Sequence, residues 1–231
     1  MHLVLALIPC AGRPPLGGTF GQGWEPGRPA VLRFQSATVR RPARSAKSAT
    51  LRDQLIDALQ ETGRDEYEIV AAGPATDEQV AALEAALGLR VPAPLRDLLG
   101  DRLNGLAVLA RIELWPPAEP YDVGPAWTFW PGLVVLGVGG EDLPGWASIE
   151  VRALQLREAG ITDVVPAFVV HGDGDRTWGL RPDGSVVLTW STTGEVDELG
   201  TDLATAYREE VAALRQRTAD MVALRRERGE L

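Results

Sequence analysis

The sequence predicts an α+β domain: N-terminal helices, a central, mainly antiparallel sheet of about four to six strands, and a long C-terminal helix. Three observations carry this. Two punctuated helical segments follow one another between Thr76 and Asn104. Short apolar and β-branched runs broken by Pro and Gly occupy the middle of the chain. From Leu199 onward, apolar residues recur at helical spacing.

The first helix is expected over Leu51 to Gln60, where Leu51, Leu55, Ile56 and Leu59 fall on one face and Gly63 ends the pattern. Glu66 to Ala71 is compatible with a short strand. Thr76-Asp77-Glu78-Gln79 is a capping box: the Thr76 hydroxyl accepts the Gln79 backbone N–H, and the Gln79 side chain reaches back. Val80, Leu83 and Leu87 share a face, and Gly88 is the expected stop. Val91-Pro92 opens the next helix, since proline is tolerated in a first turn. Leu95, Leu98, Leu99 and Leu103 form its buried stripe, closed by Asn104-Gly105.

Strands are expected at Ala107 to Trp115, Leu133 to Val138 and Val164 to Val170. Arg176 to Arg181 and Ser185 to Trp190 flank Pro182-Asp183-Gly184 and read as a hairpin. Ser148 to Gly160 reads either as a helix or as a strand followed by a turn. Leu199, Leu203, Tyr207, Val211, Leu214, Met221 and Leu224 mark one side of the final helix, and five arginines from Arg215 to Arg228 suit its C-terminal end. Its tail either docks on its own domain, pairs with a second copy as a coiled coil, or frays.

The 231 residues hold one cysteine, Cys10, which removes any intramolecular disulfide framework and any thiolate zinc site, and fits a reducing cytoplasm. The net charge is −9. Residues 1–50 carry seven basic residues and one acid, Glu25, whereas the remainder carries 16 basic and 31 acidic residues, a balance of −15. An acidic domain opposes phosphate backbones, so no nucleic-acid partner is expected; it attracts basic proteins, and it also keeps the chain soluble.

Residues 1–50 lack periodicity and are expected to be disordered, to stem from a start assigned too far upstream, or to act as a basic tail touching nucleic acid or membrane. The apolar run Met1 to Ile8 is too short to span a bilayer and has no basic region before it, and Leu7-Ile8-Pro9 ahead of Cys10 fits lipoprotein processing badly. The organisation expected is therefore this segment, a leading helix and connector at 51–72, a domain at 73–208, and a helical extension at 209–231.

Sites of chemistry are few. His171-Gly172-Asp173-Gly174-Asp175 places a histidine beside two aspartates, but calcium loops need more oxygen ligands at fixed spacing, and glycine alternating with aspartate suits a tight strand connection. Gly137-Val138-Gly139-Gly140 follows a strand, yet the dinucleotide fingerprint requires glycine where Asp142 stands, and a phosphate loop requires a lysine where Lys47 is the only one in the chain. No nucleophile with a matching base is visible; no catalytic residue, metal or cofactor is expected. Glu141-Asp142 is either a solvated loop pair, a general acid/base pair or an acidic contact for a basic partner. Trp115, Trp127, Phe129 and Trp130 cluster near Tyr121, and either fill the core or form an exposed aromatic patch.

The succession Leu83-Glu84, Leu87-Gly88, Val91-Pro92, Leu95-Arg96 and Asn104-Gly105 resembles the opening of SUKH-superfamily domains. Leu133 to Gly139 resembles their central strand ending in glycines, and Val165-Pro166 to Val170, the turn at Asp183-Gly184 and Glu198 to Tyr207 resemble their closing strands and helix. The likeness covers about Gly73 to Tyr207. The stretch Pro116 to Gly132 and the end of the last helix depart from it. The resemblance implies a binding protein, not an enzyme: a cytoplasmic immunity protein that neutralises a basic toxin domain such as a nuclease, or alternatively a regulatory or scaffold module for cell-wall or signalling proteins. No catalytic residue carries over. The contacts expected for a partner are Trp130, Glu141, Asp142, Asp173 and Asp175, in a chain that is a monomer or a dimer through its C-terminal helix, with no membrane partner.

Overall fold

The computed structural model describes residues 49–60, 62–118, 124–139 and 143–231. The expectations for residues 1–48, Tyr121, Glu141 and Asp142 lie outside the described residues. Among those described, the order is α1 (Leu51–Leu59), β1 (Tyr67–Val70), α2 (Asp77–Leu87), α3 (Ala93–Leu99), β2 (Ala107–Ala110), β3 (Gly132–Val135), α4 (Ile149–Glu158), β4 (Val165–His171), β5 (Arg176–Leu180), β6 (Val186–Trp190), β7 (Val196–Glu198) and α5 (Leu203–Glu227). Short 3₁₀ turns at Ala126–Phe129 and Gly145–Ala147 precede β3 and α4.

The fold is α+β, and the seven strands lie in one sheet in sequence order, each antiparallel to the next. That is more than the four to six expected. The additional strand is the edge β7, whose three residues leave little periodicity to detect; the other edge, β1, falls within the short strand expected at Glu66 to Ala71.

The helix starts behave as their side chains dictate. Both halves of the Thr76 capping box form: Gln79 N–H donates to Thr76 Oγ1 (3.2 Å) and Thr76 N–H to Gln79 Oε1 (2.8 Å). Gly88 ends α2 at φ 63°, a backbone conformation that glycine adopts without cost. Residues 148–160 resolve as a helix because Ser148 Oγ caps Val151 N–H, and Ile149, Ala153 and Leu156 then form one buried face. β2 stops at Ala110; Leu114 and Trp115 N–H both turn back to the Arg111 carbonyl at 2.9 Å, so Trp115 belongs to a turn instead of the expected strand. Leu199 lies before α5: its N–H donates to Val186 of β6, and the helix starts at its cap, Asp202.

Strand register stacks the core in rows. Val108, Leu133 and Val170 are neighbours across β2, β3 and β4. Next to them Phe168 stacks on Trp178 (4.9 Å), and Tyr207 of α5 meets Phe168 edge-on at 5.6 Å. Helix α5 thus covers this face, burying Leu203, Tyr207, Val211, Leu214 and Met221, each contributing roughly 1.5–3 kcal/mol by leaving water. The burial of Met221, together with an Arg225 hydrogen bond to the Glu113 carbonyl, shows the tail docked on its own domain. On the opposite face, α4 closes a smaller cluster of Leu156, Ile161, Val164 and Val187.

Buried Asn104 ties the helical opening to the sheet. Its side-chain amide donates to the Gly73 (2.8 Å) and Val138 (3.2 Å) carbonyls and accepts Val138 N–H (2.9 Å), while the Asn104 carbonyl accepts Ala72 N–H. Gly137 passes so close that a Cβ there would overlap the Asn104 side chain and the Gly105 backbone.

Candidate partner-binding surface

The end of the sheet where β3 begins and β4 turns into β5 gathers three of the five residues expected at a binding site. Gly172, at φ 87°, carries the chain past the Phe129 carbonyl so closely that no side chain would fit. Asp173 then folds the turn on itself. Its Oδ1 accepts Asp175 N–H (3.0 Å) and Arg176 N–H (3.2 Å), and its Oδ2 accepts Arg176 Nε (2.6 Å). The residue is only 7% exposed, so this carboxylate acts inward as the strut of an Asx turn. Asp175 is partly exposed and braces the next connection, accepting Thr192 N–H at 2.7 Å and Ser191 Oγ at 3.3 Å. The Thr192 N–H, foremost among its partners, holds its pKa below the usual carboxylate value.

Arginines secure the turn from both sides. Buried Arg152 of α4 donates to the Asp173 carbonyl (3.1 Å), the Gly174 carbonyl (2.9 Å) and Gln155 (2.9 Å). Burial lowers its pKa, opposed by the charges of Asp173 and Asp175. The Arg176 guanidinium lies over the Trp130 ring (4.8 Å) and near the Trp178 ring (5.6 Å), a cation–π arrangement that fixes Trp130 against the turn. Trp130 is therefore half-buried and held in place.

The expected aromatic segment divides into packing and exposed members. Trp115 is buried, donates its indole N–H to the Thr128 carbonyl (2.8 Å) and meets Trp127 edge-on at 6.1 Å. Phe129 is 41% exposed. A second exposed ring is Trp146, 47% exposed, which packs its edge on His171 at 4.9 Å. Burial lowers the pKa of His171, favouring neutral imidazole. Sequence reasoning passed over Trp146 because it sits alone between Gly145 and Ala147, with no periodic neighbour. The Phe129 backbone carbonyl passes this turn at Gly172, and the Trp146 ring packs on His171 just before it.

Among the described residues, no group of three His, Cys, Asp or Glu side chains is placed to hold a metal ion, and no helix is long and apolar enough to cross a membrane. What the surface offers is two exposed aromatic rings, Phe129 and Trp146, from segments that adjoin a turn whose polar groups bond to one another. No family model matches the chain, and no curated protein matches it.

Proposed function

We propose that the chain is a protein-binding module of the SUKH kind that acts as an immunity protein, neutralising a basic toxin domain by direct contact and without turnover. The observation that carries this reading is the pair of exposed rings, Phe129 and Trp146, on two 3₁₀ turns that pass the internally braced connection after β4, Phe129 by its backbone carbonyl at Gly172 and Trp146 by its ring on His171. Aromatic anchors on a pre-organised frame are where binding energy concentrates at interfaces, because little conformational entropy remains to be lost. The balance of −15 over residues 51–231 supports a basic partner by speeding encounter. Asp175 at the edge of the turn adds an acidic side chain to the proposed contact.

Calorimetric titration of the purified chain against the toxin domain encoded beside it tests the proposal. Binding that weakens with salt and abolishes toxicity is expected. Replacing both Phe129 and Trp146 by alanine should weaken it by about a hundredfold, as for anchors contributing more than ~1 kcal/mol each. Tight binding that survives both replacements would move the interface elsewhere; several weak partners and no tight one would favour a regulatory or scaffold role.

A further inference from the structure

We propose that the outer face of α4 docks an amphipathic helix of the partner, one that carries an apolar side chain between two basic residues about two turns apart. This deepens the reading above and rests on it: the basic partner inferred there presents a helix to α4.

Apolar exposure concentrates at this helix. Among the described residues, Trp146, Val151 and Leu154 are 47%, 44% and 58% exposed and fall close together in the chain. Trp146 lies in the 3₁₀ turn that leads into α4. Val151 and Leu154 lie on the side of α4 away from its buried residues, Ile149, Arg152, Ala153 and Leu156. A leucine on the outer side of a helix leaves its area in water unless another surface covers it.

The charges around this face are of one sign. Glu150, Leu154 and Glu158 follow at four-residue spacing and share one row of the helix surface. Two carboxylates thus stand about 12 Å apart along the axis with the leucine between them. Both glutamates are exposed, and among the described residues neither side chain has an ion pair or a hydrogen bond. The cations of α4 are engaged elsewhere: Arg152 is buried against the Asp173 and Gly174 carbonyls, and Arg157 reaches the Ala86 and Leu87 carbonyls at the end of α2. Beyond that end, Arg90 acts on Glu84. A third exposed carboxylate, Glu195, follows Gly194, whose close approach to the Ala159 carbonyl brings the β6–β7 connection to the same end of α4. Glu150 suits the N-terminal end of the helix dipole, but Glu158 stands in the last turn, where the dipole disfavours an anion. No cation among the described residues compensates it; a cation on the partner does.

A helix fits this face where an extended segment does not. The outer side of α4 offers no ladder of N–H and C=O groups, so an extended segment laid on it would leave its own backbone unpaired against apolar side chains. A helix satisfies its backbone internally and packs its side-chain ridges between those of α4. A second copy of this chain is disfavoured, because α4 against α4 sets one glutamate row against another in either direction.

Titration of the full chain, followed by the methyl resonances of Val151 and Leu154, tests the proposal. The probe is a capped, alanine-based helical peptide with an Arg-Leu-Arg row at four-residue spacing; a second peptide has glutamate for both arginines. The arginine peptide should shift both residues and bind about tenfold more tightly than the glutamate peptide, the scale of two exposed ion pairs. Glu150→Lys with Glu158→Lys should reverse that preference, and Leu154→Arg should abolish binding of the arginine peptide. All three positions are exposed, so an unchanged Tm shows that the fold is kept. Equal affinity for the two peptides, shifts confined to residues outside α4, or no shift at millimolar peptide overturns the proposal. So does shielding of Val151 and Leu154 from a soluble paramagnetic agent without peptide: growing with protein concentration, it would mean pairing with a second copy, and independent of it, coverage by the chain's own remaining residues. A chain that takes the peptide but no toxin loses the immunity reading alone, whereas toxin binding untouched by Leu154→Arg removes the α4 contact alone.

Discussion

Replacing Asp173 separates a strut from a partner contact. Its carboxylate accepts two backbone N–H bonds, at 3.0 and 3.2 Å, and one guanidinium bond at 2.6 Å, all within its own turn. Net contributions of about 1 kcal/mol for each backbone bond and about 1.5 kcal/mol for the charged one sum to roughly 3.5 kcal/mol lost in Asp173→Ala. For a folded unit of this size that lowers Tm by roughly 7–14 °C. Asp173→Asn keeps an oxygen for the two backbone donors and sets an amide against Arg176, so about half that loss is expected. Trp130 should also loosen in both variants, because Arg176 is held over its ring by the same carboxylate. Thermal and urea unfolding give the stabilities, and tryptophan fluorescence reports the ring. Toxin affinity, corrected for the folded fraction, should fall together with stability, because the turn that orders the proposed contact loses its brace. An alanine variant with unchanged Tm and weakened binding would refute the reasoning and return the carboxylate to the interface.

Two further perturbations probe the frame. Asn104→Ala strands the Gly73 and Val138 carbonyls and the Val138 N–H, costing roughly 3 kcal/mol, and Gly137→Ala should be at least as damaging because its methyl group would occupy the position of the Asn104 side chain; denaturant midpoints at constant m check both. Glu210 is buried on α5, and burial raises its pKa against the opposing charges of Arg217 and Arg176. A raised carboxylate pKa means the folded state takes up the proton more readily, so this contribution to stability is fully present below the unfolded value near 4.5 and is lost as pH rises through the folded pKa. Glu210→Gln should remove that decline from urea unfolding measured between about pH 4 and 7, and an unaltered pH profile would show that Glu210 is solvated.

Much of the fold is legible in the sequence because its signals are local. The Thr76 box, Gly88 and Pro92 each act within a few residues and appear where their chemistry demands, whereas α3 ends at Leu99 and leaves Leu103, expected on its stripe, in the turn that follows. What escaped notice depends on partners distant in the chain. Ser148 to Gly160 has no clean periodicity because buried Arg152 occupies a position that an apolar residue would normally fill, and its reason is a turn 21 residues away. β7 has only three residues and exists because β6 offers it a ladder. At the site, the acidic residues near His171 were conspicuous as residue types, but acidity did not reveal direction. The Asp173 carboxylate points into the turn and Asp175 braces Thr192, whereas the most exposed ring there, Trp146, had no sequence pattern to mark it.

The docking of α5 and the shape of the turn are coupled through charge. Arg176 projects from β5 on the face that α5 covers, bonded to Asp173 on one side and acting on Glu210 and Arg217 on the other. Glu210 and Arg217 are 3.7 Å apart, and Glu210 Oε2 and two Arg217 nitrogens are buried with no hydrogen-bond partner among the described residues. A loosely paired buried ion pair contributes little to stability, because desolvation of both charges offsets their attraction. It does fix orientation: any rotation or slide of α5 that separated the pair would leave two isolated charges in the interior. The helix is thereby held in one register over the sheet, and through Arg176 that register holds Trp130 and the turn that the segments carrying Phe129 and Trp146 adjoin. Pre-organisation of the proposed binding surface is in this sense a property of the long helix as much as of the turn itself.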